Sequence, residues 1–241
     1  MTALPKPTGA RERFAGDGKR AVKSPGVVFL DREVLCQPLS CLTKAEVVRL
    51  NERRAGELAG FVDKRYNARV YASAHSLLRE AAGGRRVRVL DFGCGEGQFG
   101  DWMKRHADVA PRCDLYGSDI RAPAGGVQLR AGARGYVGAG VVNYTRAVPA
   151  EFARTEFDAC VALFVFHFKV YRAQLRDLYR HLRPGGVLVF NSLSYTPRRA
   201  HRSVEEVGLR LRRSVVVSRH SSRHRVYVYC KPGGSGAEAR G

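Results

Sequence analysis

Negative charge is scarce in this sequence: 22 aspartates and glutamates stand against 42 lysines and arginines in 241 residues, a formal net charge of +20. A field of that strength attracts polyanions and raises their encounter rate. Nucleic acid is the partner class it favours; the alternative is that abundant Arg, Ala and Gly merely follow a GC-rich gene. Paired cysteines are missing too. Cys36, Cys41, Cys94, Cys113, Cys160 and Cys230 form no C-x-x-C and no pattern with histidines, which indicates neither a zinc site nor a disulfide framework. Reduced thiols in a cytoplasmic or nuclear protein are expected, and no metal. Long apolar runs are also lacking. The longest, residues 159–168, is too short to cross a bilayer and reads as a buried strand. No apolar segment follows Met1, so neither secretion nor a membrane partner is expected.

What is present centres on residues 87–100, VRVLDFGCGEGQFG. Val87, Val89 and Leu90 are apolar and β-prone, and Asp91 ends that short strand at a run of glycines. Gly93, Gly95 and Gly97 permit a sharp bend and close approach of the backbone to a ligand. Residues 99–106 read as a helix whose free N–H groups face the turn.

The order D-x-G-x-G-x-G in that context resembles motif I of the class I S-adenosylmethionine (AdoMet)-dependent methyltransferases. The resemblance implies an α/β, Rossmann-like fold with a mostly parallel seven-stranded sheet and an antiparallel edge hairpin, and AdoMet as cofactor. Asp91, Gly93, Cys94, Gly95 and Gly97 would then hold the methionine end of the cofactor. Residues 114–120, DLYGSDI, read as the second strand. Asp119, with Ile120 beside it, is expected to accept the ribose hydroxyls.

Residues 121–140 are rich in Gly and Ala and encode a helix only weakly. Residues 141–144 resemble the end of a third strand, where Asn143 can accept from the adenine amino group through its amide oxygen. Tyr144 either stacks on the adenine or is core. Residues 157–168, FDACVALFVFHF, read as a fourth strand, with Leu163 at the cofactor. A helix over 170–182, the turn RPGG at 183–186 and a fifth strand over 187–191 follow. This block resembles motifs IV and V of the same family and extends the resemblance over residues 86–191. A helix is expected over 203–211, then a hairpin of 213–217 with 225–230. Between residues 198 and 225 nine arginines face two glutamates, which makes a basic surface there.

Four regions are expected: a basic arm over 1–26, a helical extension over 27–84, the methyltransferase core over 85–231 and a loose tail over 232–241. In the extension, Thr43 with Glu46 forms a capping box, and a second helix over 62–82 stops at Gly83-Gly84.

The methyl acceptor should enter over the ends of strands one and four, against Phe164, His167 and Phe168. His167 is open to three readings: a general base for a hydroxyl acceptor, a hydrogen-bonding partner of a substrate base with Phe168 stacking, or a residue satisfied by backbone. LFVFHF also looks like the Q-F-x-x-H-Y segment of messenger-RNA cap guanine-N7 methyltransferases. Residues 65–67, RYN, are similar to that family's R-x-F-N-N-W-x-K segment, which implies Arg65, Asn67 and Arg69 at the substrate. The sequence departs from it at Ala68, where the family has a second Asn, and at Glu96, where it has Lys. Guanine N7 carries a free lone pair, so its methylation needs no base. No D/N-P-P-Y/F follows the fourth strand, no Lys-Asp-Lys-Glu set is evident, and no Pro-Cys pair is placed as a cytosine C5 nucleophile. The expected function is therefore an RNA methyltransferase with the cap guanine N7 as favoured acceptor. A small-molecule O- or C-methyltransferase and a non-catalytic RNA-binding subunit are the alternatives.

Overall fold

The computed structural model describes residues 64–106, 113–120, 135–167, 170–192, 198–217 and 225–233. By its internal contacts the chain divides into residues 1–61 and 62–241, and every described residue belongs to the second unit. The expected arm, the capping box at Thr43, Cys36 and Cys41 lie outside the described residues.

The first helix, α1 (Lys64–Ala82), turns Val70, Ala74, Leu77, Leu78 and Ala82 inward, the three-and-four spacing of an apolar stripe. It stops at Gly83 and Gly84, both in the left-handed region that ends helices cheaply. The central strand β1 (Val87–Phe92) follows, then α2 (Gln98–Arg105), β2 (Cys113–Asp119), β3 (Tyr136–Val141), β4 (Phe157–Ala162), α3 (Arg172–His181), β5 (Leu182–Ser192), α4 (Arg198–Glu206), β6 (Arg210–Val216) and β7 (Arg225–Cys230). Single 3₁₀ turns occupy Ala150–Phe152 and Val165–His167.

The seven strands form one sheet in the order β3-β2-β1-β4-β5-β7-β6. Strands β3 to β5 pair parallel, and β7 pairs antiparallel with both β5 and β6. The chain moves outward from β1 through β2 to β3 and returns to β4 on the other side of β1. That reversal leaves a crevice at the carboxyl ends of β1 and β4. Because side chains alternate along a strand, Val87 and Val89 join α1 and α2 in one core layer while Leu90 and Phe92 join Leu175, Leu178 and Val204 in the other.

Beside shifts of one to three residues at other element ends, four features differ from the sequence reading. The third strand runs over Tyr136–Val141, not up to residue 144. Its glycines are imposed by the returning chain: a Cβ on Gly140 would lie 2.7 Å from Pro149, and one on Gly138 3.1 Å from Phe152. The fourth strand ends at Ala162, six residues early. Residues 163–166 beyond it form a turn, with Leu163 and Phe166 buried in the core and Phe164 and Val165 half-buried. The RPGG residues bulge within β5, so Phe157 pairs with Leu182 while Ala159 pairs with Val187. The last helix begins at Arg198 and ends at Glu206, because Gly208 at φ 103° and the strand β6 take up the residues beyond it.

Among the described residues no helix is long and apolar enough to cross a membrane, and no cluster of His, Cys, Asp and Glu is placed to hold a metal.

Candidate functional site

The glycine turn is built by hydrogen bonds to the end of β2. The N–H groups of Gly93 and Cys94 both donate to the Ser118 carbonyl, at 2.7 and 3.0 Å. The Gly95 N–H donates to Asp119 Oδ2 at 2.9 Å. Gly93, Gly95 and Gly97 all have positive φ, between 53° and 86°, a region that L side chains enter at a cost. Gly93 and Gly95 face different surroundings. A Cβ on Gly93 would meet Val165 at 2.4 Å, whereas one on Gly95 would meet nothing nearer than Gln98 Oε1 at 3.5 Å. Gly93 is therefore sealed by the turn after β4, and Gly95 forms an open cradle against which a ligand can lie.

Asp91 lies beneath the turn and is 2% exposed. The Tyr136 hydroxyl donates to Asp91 Oδ2 at 2.5 Å and accepts from the Gly100 N–H at 3.3 Å. Burial pushes the Asp91 carboxyl up to about 7 against the pull of the Tyr136 hydrogen bond, and the nearby Asp119 charge raises it further. Burial also raises the Cys94 and Tyr136 groups. Cys94 is thus a buried, protonated thiol that lines the turn.

Asp119 and Ile120 are half-buried at the tip of β2. Asn143 lies two residues beyond the end of β3 and is exposed. Its Oδ1 accepts from both the Thr145 N–H (2.8 Å) and the Thr145 hydroxyl (2.6 Å). The oxygen expected to meet an adenine amino group is therefore already committed to a local turn. The Asn143 backbone carbonyl accepts from Gln174 Nε2 at 3.0 Å, which fixes this loop to α3. The Tyr144 ring packs edge-on against Tyr171, with centroids 5.1 Å apart.

At the end of β4, Leu163 is buried and Phe164 is half-buried with φ 62°, the one non-glycine residue at positive φ among the described residues. A bulky residue there is strained and must be held by its surroundings. The Phe164 N–H donates to Oδ1 of Asn191, a fully buried amide on β5, at 2.6 Å. The Phe164 ring stands edge-on to Tyr71 of α1 at 6.3 Å, and Tyr71 also contacts Phe99 and Trp102. Burial raises the Tyr71 hydroxyl well above its usual range, and Asp91 adds to the effect.

The structure brings Asp91, Gly93, Cys94, Gly95, Gly97 and Asp119 together at one turn. His167 closes the 3₁₀ turn beside them, but its side chain lies outside those described, as do those of Arg65 and Asn67 in the first turn of α1. Phe168 lies outside the described residues. Arg69 is exposed on α1. Tyr136, Asn191 and Gln174 carry no signal in the sequence that marks them as site residues. Only the sheet order puts Tyr136 beside Asp91, 45 positions away in the chain.

A family model described as a methyltransferase domain matches residues 90–188. No curated protein matches the chain by sequence. The fold is similar to that of a TehB-like SAM-dependent methyltransferase of Corynebacterium glutamicum, with 18% identity, 78% of this chain and 100% of that chain covered, and a TM-score of 0.50. It is also similar to the 1,6-didemethyltoxoflavin-N1-methyltransferase of Burkholderia thailandensis, solved with S-adenosylhomocysteine, at 16% identity, 78% and 88% coverage and a TM-score of 0.51. Magnesium protoporphyrin IX methyltransferase of Synechocystis, also solved with SAH, matches at 13% identity, 76% and 94% coverage and a TM-score of 0.51.

Proposed function

We propose that this chain is a class I AdoMet-dependent methyltransferase, as the methyltransferase-domain match over residues 90–188 and the fold support, and that its substrate is RNA, with guanine N7 of the messenger-RNA cap as the acceptor. The residues at the turn suit that cofactor. Gly95 leaves room for close approach, and the Asp119 carboxylate at the strand tip suits a diol. Bound there, AdoMet supplies an electrophilic methyl group on a sulfonium. The chain's own task is alignment of the acceptor with that methyl, which can lower a barrier by roughly 7 to 11 kcal/mol in favourable cases.

The parts of the chain divide that task. The glycine turn and Asp119 would fix the methionine and ribose ends. Asp91 supports the turn from below, and its ionised form would balance cationic groups above it. With Oδ1 held by Thr145, Asn143 has its amide N–H₂ to offer to the adenine. Phe164, held by Asn191 in a strained turn, would form one wall for a flat acceptor, and Tyr71 closes the wall behind it. Guanine N7 loses no proton on methylation, so the site needs no general base, and His167 would hydrogen-bond the guanine.

The observation that carries the choice of RNA is the charge of +20, far beyond what a neutral small substrate requires. A panel assay with labelled AdoMet tests it, comparing capped RNA, uncapped RNA and lipophilic small molecules. The expected result is methyl transfer to the cap dinucleotide and to capped RNA. His167→Ala should lower that rate roughly 100-fold, the cost of a misplaced acceptor, with AdoMet affinity little changed. Inert capped RNA beside a methylated phenol or quinone precursor would overturn the RNA reading in favour of a small-molecule enzyme. No AdoMet binding in calorimetry would leave an RNA-binding subunit.

A further inference from the structure

Beyond the Asn143 loop, a cavity of about 440 Å³ opens between residues 145–153 and α3. Arg146 lines it from the loop, and Arg176 and Arg180, one helical turn apart, line it from α3. All three are exposed. Elsewhere on the molecule Arg85 and Arg183 share Asp158, Arg86 holds Asp114, Arg172 faces Glu206 and Arg213 holds Glu80. Among the described residues no such carboxylate partner faces Arg146, Arg176 or Arg180.

The one acid in the cavity, Asp177, is already engaged. Its Oδ2 accepts from the Ala147 and Val148 N–H groups at 2.9 and 3.0 Å, and Oδ1 lies 3.6 Å from His181 Nδ1. The His181 ring nitrogens lie against the Asp177 and Ala153 carbonyls, at 2.8 and 3.2 Å. Asp177 and His181 therefore clamp the loop to the helix, and the three guanidinium groups remain to face solvent. The one aromatic ring that lines the space, the His181 imidazole, is held by the Asp177 and Ala153 carbonyls, and no Phe, Tyr or Trp lines it, so it offers little platform on which a base could stack.

We propose that this cleft binds consecutive backbone phosphates of a single-stranded RNA whose methylated end lies in the crevice above β1 and β4. Planar guanidinium groups match phosphate oxygens in pairs. The cleft starts at Thr145, whose hydroxyl holds the Asn143 loop, and runs along α3 as far as His181. A strand leaving the acceptor site along the outside of the molecule would follow it. The inference rests on the RNA reading for its ligand, but it stands on separate residues.

The test uses the full chain with Arg146, Arg176 and Arg180 changed together to Ala, and a second variant with all three changed to Lys. Binding of a fluorescein-labelled capped 20-nucleotide RNA is followed by anisotropy across a salt series, with AdoMet affinity and methylation of the cap dinucleotide measured alongside. The alanine variant should lose at least tenfold in RNA affinity, and the slope of log K against log salt should shrink by about 2, near 0.7 for each phosphate that is no longer neutralised. The lysine variant should keep most of that slope, while AdoMet affinity and cap dinucleotide turnover stay unchanged. Unchanged RNA affinity in the alanine variant, with wild-type protein still methylating capped RNA, would overturn the cleft and leave the function standing. Arginine-dependent RNA binding with no RNA methylated would do the reverse. If inorganic tripolyphosphate binds through these arginines while RNA affinity is indifferent to them, the cleft serves a small anion and the proposal falls.

Discussion

Gly93 shows how tightly one position can be specified. Its φ of 79° already disfavours a side chain, and a Cβ would sit 2.4 Å from Val165. Gly93→Ala should therefore cost about 2 to 4 kcal/mol, from backbone strain and overpacking together. Urea denaturation measures it, and Val165→Ala in the same chain should return the overpacking share. Gly185, also at positive φ but with nothing within 4 Å of its Cβ position, should lose only the strain share on the same substitution. Phe164 is the opposite case, a large residue kept at φ 62° because Asn191 holds its N–H. No local feature of LFVFHF announces that turn. The partner amide is 27 positions away.

At the scale of elements, one buried chain of hydrogen bonds ties β1, β3 and α2 together: Gly100 N–H to Tyr136 hydroxyl to Asp91 carboxylate. Tyr71, Cys94, Cys160 and Asp119 are the other titratable groups that feel the charge of Asp91 or act on it. Its pKa of about 7 in the folded state, against 3.8 for an ordinary aspartate, has a definite sign. Between those values the native chain keeps a proton that the unfolded chain has released, so this contribution to stability falls as pH rises from about 4 to 7. Without AdoMet, the stability difference between wild type and Asp91→Asn should shift against the wild type across that window. Thermal unfolding of the pair at several pH values checks it; a difference independent of pH would mean that Asp91 is ionised throughout. Asp114, held low by Arg86, acts in the opposite sense and only in more acidic solution.

For the whole molecule, the charge of +20 makes association with RNA a function of ionic strength. Raising salt from about 50 to 200 mM should raise the KM for capped RNA at least tenfold, with kcat little changed. The cap dinucleotide, with few phosphates to contribute, should show a much smaller rise. Steady-state kinetics on both substrates measures the contrast, and equal salt dependence would show that the basic surface takes no part in substrate capture.

The sequence by itself determined the elements whose signals are local. The glycine turn, the acid at the tip of β2 and the alternating RVYVYC strand each need only neighbouring residues to declare themselves, and from them the resemblance to class I methyltransferases and the parallel sheet with its antiparallel edge followed, although RVYVYC lies between β5 and β6 and the edge itself is β6. Tertiary structure decided what depends on residues distant in the chain. The third strand is glycine-rich because Pro149 and Phe152 press against it, so its composition hid its identity. The fourth strand ends early because residues 163–166 are apolar to bury a turn, and apolarity alone does not distinguish a buried turn from a buried strand. Tyr136 meets Asp91, Asn191 meets Phe164, and Asn143 gives its oxygen to Thr145. The first two of these depend on the sheet bringing separate strands together, because packing is a property of contacts in space and a linear pattern records only neighbours along the chain.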